Sequence, residues 1–114
     1  MKKLIKHVLL LPLLLCGQSA IDNATAAHLE KIIDMRHQIH QNPELGNREF
    51  KTAELVADHL RSIGFDEVKT GVAYTGVIGI LNGGKPGGVV AVRADMDGLP
   101  VTEDTDLHFK STAR

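Results

Sequence analysis

The sequence predicts an α/β fold, with two helices in series followed by a β-hairpin. Three observations predict it. Apolar residues recur at helical spacing as far as Gly64, and beyond it the period shortens to that of strands. The β-branched run Val89-Val90-Ala91-Val92 reads as a buried strand and delivers two acids, Asp95 and Asp97, at its end. Pro100 then cannot donate to a ladder and pushes Leu99 away from helix, which leaves both acids at a rim. Their i, i+2 spacing sends the two side chains to one side of an extended chain, and strand ends in α/β sheets are where ligands and reacting groups collect. The competing reading is a surface turn whose aspartates are solvated or cap neighbouring backbone.

The totals bound the function classes. With 114 residues, 43% hydrophobic and 24% charged, the chain allows one domain at most. A formal net charge of −1, with no basic excess and no interleaved aromatics, excludes a nucleic-acid footprint. The lone cysteine, Cys16, cannot form an internal disulfide.

Residues 1–26 read as an export signal. Lys2, Lys3 and Lys6 form a positive start and Val8 to Leu15 an apolar run, too short for a membrane span of roughly 20 residues. Cleavage is expected after Ser19 or after Ala26, and a buried N-terminal helix is the alternative. A lipoprotein is the weaker expectation, because Leu15 is bulkier than the small residue expected before a lipidated Cys16. Export implies a periplasmic or secreted product. The Asn23-Ala24-Thr25 sequon lies inside this leader.

From Ala27 to Asn42, Leu29, Ile32, Ile33, Arg36 and Ile39 give a helical stripe, which Asn42-Pro43 ends. His37 and His40 share a face of this helix. With no third ligand spaced beside them, ordinary hydrogen bonding outweighs metal binding. A second helix is expected from Asn47 as N-cap, with Glu49 in its first turn and Phe50, Ala53, Val56, Ala57 and Leu60 as its buried stripe. Gly64 stands where a left-handed residue closes a helix. Short strands are then expected over Phe65–Lys69, Thr75–Leu81 and Val89–Arg93. The last two should pair as a hairpin across the glycine-rich cluster Asn82–Gly88. That cluster is no phosphate loop, since no G-K-[ST] and no helix follow it. Residues 101–114 show no clear period.

Several separated motifs then agree. Arg36-x-x-x-His40-x-x-Pro43-Glu44-Leu45-Gly46-x-x-Glu49-x-x-Thr52, Thr75-Gly76-Val77, Gly84-Lys85-Pro86-Gly87 and Arg93-Ala94-Asp95-Met96-Asp97-x-Leu99-Pro100-Val101 resemble the metal-dependent amidohydrolases and peptidases of aminoacylase and carboxypeptidase type. The branch is that of hippurate hydrolase, the N-acyl-amino-acid amidohydrolases and the auxin-conjugate hydrolases. The resemblance covers about Leu29 to Arg114 and rests on the order and spacing of the motifs together.

The resemblance implies that residues 27–114 are the N-terminal portion of a dinuclear-metallohydrolase catalytic domain, whose hairpin joins a central mixed sheet. A smaller lid domain, absent here, would allow a homodimer. The implied reaction is hydrolysis of the amide of N-acyl-amino acids or peptide-like small molecules. Two divalent ions (Zn, Mn, Co or Ni) would activate the water and a Glu would serve as general base. The branch's ligands come from a Cys/His cluster, a Glu-Glu pair and later histidines, none of which is in this sequence, so no metal is expected to bind this chain. Asp97 matches the Asp that orients a metal-ligand imidazole. Asp95 matches a position that is a His metal ligand in the wider family; in this branch that role passes to a downstream Cys, which implies a supporting or structural role for Asp95. His40, Glu44, Glu49, Thr52 and Arg93 match motif positions read as scaffold. Gly98 stands where Ala is more usual, a change expected to loosen the rim. Two other classes remain open: a short non-catalytic remnant, and a periplasmic binding module built on His37, His40, His59 and His108.

Overall fold

The computed structural model describes the backbone of residues 2–113 and the side chains of residues 19–113. Expectations about the charges and apolar run of the leader, and about Cys16, concern side chains outside those described. The chain divides into two compact units, Met1–His37 and Gln38–Arg114. Helix α1 runs over Lys2–Gln41, so the helix expected from Ala27 begins instead at Lys2. It stops one residue before Asn42-Pro43, where a proline restricts the preceding residue. Leu29, Ile32 and Ile33 on the expected stripe remain substantially exposed. Among the described residues no helix is long and apolar enough to cross a membrane.

The second unit carries the fold that matters for the site. Helix α2 spans Phe50–Ser62, followed by strands β1 (Glu67–Val72) and β2 (Gly76–Ile80). The helix ends in a Schellman arrangement. Gly64 takes φ 86°, its N–H donates to the Arg61 carbonyl (3.2 Å), and the Phe65 N–H donates to the Leu60 carbonyl (3.2 Å). The expected N-cap moves, however. Asn47 takes φ 63° in a reverse turn closed by Arg48 N–H on the Leu45 carbonyl (2.8 Å), and Glu49 occupies the cap position without capping the helix. Asn suits a left-handed turn position as well as it suits a cap, so composition alone did not separate the two roles.

The two strands form an antiparallel pair, with Glu67 opposite Ile80, Val68 opposite Gly79, Lys69 opposite Ile78 and Val72 opposite Gly76, and a register shift between Lys69 and Val72. This is not the expected hairpin. Residues 89–93 form no strand, and Val89, Val90 and Val92 stand 98%, 87% and 94% exposed. The turn between β1 and β2 uses Ala73 (φ 49°) and Tyr74 (φ 86°). Positive φ at both central residues gives the twist that a tight hairpin needs. Neither residue is a turn former by composition, which is why the sequence pointed to the glycine-rich cluster instead.

The α2 stripe packs on the hairpin, but not at its first residue. Ala57 is 1% exposed, whereas Phe50, expected inside, is 66% exposed. Phe65 and Leu60 cover Gly79 so closely that a β-carbon there would lie 2.7 Å from Phe65 Cδ1 and 3.1 Å from Leu60 Cδ1. The other buried residues among those described are Glu49, Thr52 and Thr75, so much of this small core is polar.

Candidate functional site

The motif residues meet at the turn between α1 and α2. Glu44 lies eight residues before Thr52, yet it caps α2. Its Oε2 accepts from the Thr52 N–H (2.8 Å) and hydroxyl (2.9 Å), and its Oε1 from the Lys51 N–H (3.2 Å). These are donors that a helix leaves without partners at its N-terminus, where a negative charge also meets the positive end of the dipole. Burial pushes the Glu44 carboxyl upward, but the Thr52 and Lys51 hydrogen bonds outweigh it and hold the group below its ordinary value. Glu49 faces the hairpin, where its Oε2 accepts from the Thr75 hydroxyl (2.5 Å). That bond, with backbone N–H groups nearby, likewise lowers the Glu49 carboxyl.

The Asp95–Asp97 segment seats on the same turn. The Gly98 N–H donates to the Glu44 carbonyl (2.7 Å). A β-carbon built on Gly46 would lie 3.8 Å from Asp97 Oδ2 and 4.0 Å from Glu49 Oε1, so bare backbone lies between the two acids. Gly98 itself meets Pro43, with a β-carbon there falling 2.8 Å from Pro43 Cβ. Gly98 therefore approaches Pro43 more closely than a residue with a side chain could at this spacing. Asp95 turns instead to Arg93, whose Nη2 lies 2.8 Å from Asp95 Oδ1. Both are exposed, so the pair is worth under about 1 kcal/mol.

His40 belongs to a separate cluster. Its Nε2 lies 2.8 Å from Glu103 Oε2, and since a carboxylate only accepts, Nε2 carries the proton. Glu103 also accepts from the Ser111 N–H (2.8 Å) and the Thr105 hydroxyl (2.9 Å). The Ser111 N–H, the His40 ring and the Thr105 hydroxyl together hold the Glu103 carboxyl down at about 2. Close by, the Thr112 N–H and hydroxyl both donate to the Gln41 carbonyl (2.9 Å each), one of the acceptors left open where α1 ends. Phe109 meets His40 and His108 edge-on at 5.8 and 4.9 Å between ring centres. Sequence reasoning missed Glu103, Ser111 and Thr105 as a cluster, since they sit in a segment without periodicity, and gave Thr75 no role.

Among the described residues no group of three His, Cys, Asp or Glu side chains is placed to hold an ion. Asp95 is engaged with Arg93 and His40 with Glu103. An open groove of about 310 Å³ runs between Phe50, Ala57, Arg61, Thr70 and Tyr74, and neither Asp95 nor Asp97 lines it.

Comparison with known proteins decides the lineage. Over 84 residues the chain is 51% identical to thermostable carboxypeptidase 2 of Saccharolobus solfataricus, covering 73% of this chain and 21% of that protein. Over 77 residues it is 49% identical to the hippurate hydrolase of Campylobacter jejuni, covering 68% of this chain and 20% of that protein. The chain belongs to the amidohydrolase and carboxypeptidase family. The N-acetyldiaminopimelate deacetylase of Anoxybacillus flavithermus matches at 39% over 80 residues, 70% of this chain and 21% of that protein. These relatives are hydrolases of amide or peptide bonds. The chain spans about a fifth of the length of the curated relatives it matches. No family model matches the chain, and no solved structure matches it.

Proposed function

We propose that the protein to which these residues belong hydrolyses the amide bond of N-acyl-amino acids or related peptide-like small molecules, and that residues 27–114 supply one wall of its catalytic domain. The observation that carries this reading is the seat of the Asp95–Asp97 segment on the α1–α2 turn, fixed by the Gly98 N–H on the Glu44 carbonyl at 2.7 Å. It brings motif residues some fifty positions apart in the sequence into one cluster, in a chain whose relatives break amide and peptide bonds.

Within this reading the chain's own residues position rather than react. Asp97 is exposed beside the α1–α2 turn, with an acceptor free to orient a donor such as an imidazole N–H. Glu44 and Glu49 are unsuited as general bases. Their carboxyls are shifted below the ordinary value by donors they already serve, whereas a base working at neutral pH needs the opposite shift. The general base and the two-metal set expected from the resemblance are then side chains other than these, and the 114-residue chain alone is inert. Export to the periplasm or medium, and pairing of two copies through a further domain, belong to the same reading.

The test is an assay of the product of the complete reading frame on benzoyl-glycine and acetylated amino acids, beside the 114-residue chain. The expected result is release of the free amino acid by the complete product, abolished by a chelator and restored by Zn, Mn, Co or Ni. Turnover that survives metal removal, or stoichiometric metal and turnover in the 114-residue chain, overturns the reading.

A further inference from the structure

We infer that Asn82 is a site of spontaneous covalent modification, at which the Gly83 nitrogen attacks the Asn82 side-chain amide and converts it to aspartate or isoaspartate. The inference concerns the loop after β2 and does not rest on the hydrolase reading.

The reaction needs no partner but water. A bond forms between the Gly83 nitrogen and Asn82 Cγ, closing a five-membered imide. The Cγ–Nδ2 bond breaks, and the amide leaves as ammonia with the proton that the Gly83 nitrogen gives up. Water then opens the ring. Opening at Cγ leaves aspartate, and opening at the main-chain carbonyl leaves isoaspartate, with the chain rerouted through the side chain. Nothing is oxidised or reduced. Three conditions govern the rate: the side-chain amide must be free to turn onto the next nitrogen, that nitrogen must be free to lose its proton, and the next residue must not crowd the ring.

All three conditions are met at Asn82. Residues 82 and 83 are exposed and outside regular structure. The Asn82 side chain and the Gly83 N–H make no hydrogen bond among the described residues. A β-carbon built on Gly83 would meet nothing nearer than the Lys85 carbonyl oxygen at 3.9 Å, and glycine turns readily through conformations that other residues avoid. The other asparagines each fail a condition. Asn42 precedes Pro43, which has no N–H, and its own amide donates to the Gln38 carbonyl (3.0 Å). Asn47 precedes Arg48, whose N–H is held by the Leu45 carbonyl (2.8 Å). Asn23 lies inside α1. Asp97–Gly98 is the instructive comparison, because the same ring can close there with loss of water. Its attacking nitrogen is engaged, however, with the Gly98 N–H donating to the Glu44 carbonyl at 2.7 Å.

The modification also places a charge beside an existing one. Asp66 Oδ2 accepts from the Asn82 N–H at 2.6 Å and ties the loop to the start of β1. A carboxylate formed at position 82 repels that of Asp66 and loosens the tie.

The test incubates the 114-residue chain at low concentration in mildly alkaline buffer, folded and in urea. Mass spectrometry with electron-transfer fragmentation follows each peptide and separates isoaspartate from aspartate. Asn82 should convert before any other asparagine, with release of ammonia and mainly isoaspartate, at a folded-state rate within about threefold of that in urea. Isomerisation at Asp97 should run about tenfold or more slower in the folded chain than in urea, because the Gly98 bond must open first. Gly83→Ala should slow conversion at position 82 by about tenfold, since its β-carbon hinders ring closure. Asn82→Asp installs the charge at once and should speed hydrogen–deuterium exchange at amide 82 by about threefold or more. Another asparagine converting before Asn82, or urea speeding positions 82 and 97 alike, overturns the assignment. So does an unchanged rate in Gly83→Ala, or a product free of isoaspartate, either of which means direct hydrolysis. Unchanged exchange at amide 82 in Asn82→Asp overturns the coupling to Asp66. None of these readouts needs turnover, so they stand or fall separately from the hydrolase reading.

Discussion

Two β-branched runs in this chain have opposite fates. Val89-Val90-Ala91-Val92 has the stronger strand propensity, yet it pairs with nothing among the described residues and lies almost fully exposed. Gly76–Ile80 carries two glycines and still forms β2. The difference lies in what each run can reach. β1 is joined to β2 by a turn of a few residues, so closing that loop costs little entropy, and α2 covers one face of the pair. The valine run follows the glycine-rich cluster Asn82–Gly88, and the described residues offer it no cover. A two-stranded ribbon is marginal by itself, and a helix packed against it supplies what its strands lack. Strand propensity here describes a capacity, and a partner within reach decides whether it is used.

The widest separation expected between the two runs is in amide exchange. The β2 amides bonded to β1 should exchange slower than those of Val89–Val92 by on the order of 100-fold or more, because the valine amides have no partner to break. Equal rates would mean that the hairpin is no more ordered than the valine run. A bare apolar run free of charge and proline is also an aggregation hazard, so the comparison belongs at low protein concentration.

Next in size is the loss of the cap that anchors the ordered region. Glu44→Ala should destabilise the chain by about 2 kcal/mol, since it strips the Lys51 and Thr52 N–H groups and the Thr52 hydroxyl of one shared acceptor. Glu44→Gln keeps an acceptor oxygen and should cost about half as much. Urea midpoints of the two variants check the order, and an unchanged midpoint for Glu44→Ala removes the cap from the account.

These residues also mark how far the sequence could be read. The ends of both helices were legible because they follow local rules: proline stops α1 and Gly64 closes α2. The cap by Glu44 was not, since a carboxylate eight residues upstream obeys no local spacing. The hairpin was assigned to the wrong strands because its turn is built from Ala73 and Tyr74, which carry no turn signal. Which residues belong near a site came from motif resemblance, whereas their grouping around Pro43–Gly46 follows from contacts between distant segments. The close approach of Gly98 to Pro43 depends on an absent atom and carries no local sequence signal.

A third prediction concerns the segment held by Glu103. Its carboxyl sits at about 2 in the folded chain, against 4.5 without its partners. A lowered folded-state value means that the unfolded chain takes up the proton first. The stabilisation is therefore complete above about 4.5 and is lost as the pH falls from there towards 2. Exchange at the Ser111 and Thr112 amides should accelerate across that window, and Glu103→Gln should show raised exchange at Ser111 at neutral pH with a flatter dependence below it. A parent chain whose Ser111 protection is constant from 5 to 2 contradicts the assignment.

The smallest effect tests why the nearer strand pair closes at all. Tyr74 takes φ 86° and is 81% exposed, so its backbone carries the cost of a left-handed residue while its ring gains little from burial. That cost is about 1 kcal/mol for a non-glycine residue. Tyr74→Gly removes it but adds freedom to the unfolded chain, which takes back roughly half. The net should be a gain of about 0.5 kcal/mol in a urea titration. Gly71 supplies the control, because at φ 72° it already uses the freedom that Tyr74 lacks. Gly71→Ala should lose about 1 kcal/mol. If Tyr74→Gly instead destabilises the chain by as much as Gly71→Ala does, the tyrosine ring holds the turn against the Phe50 side of the groove, and side-chain contact rather than backbone geometry closes the hairpin.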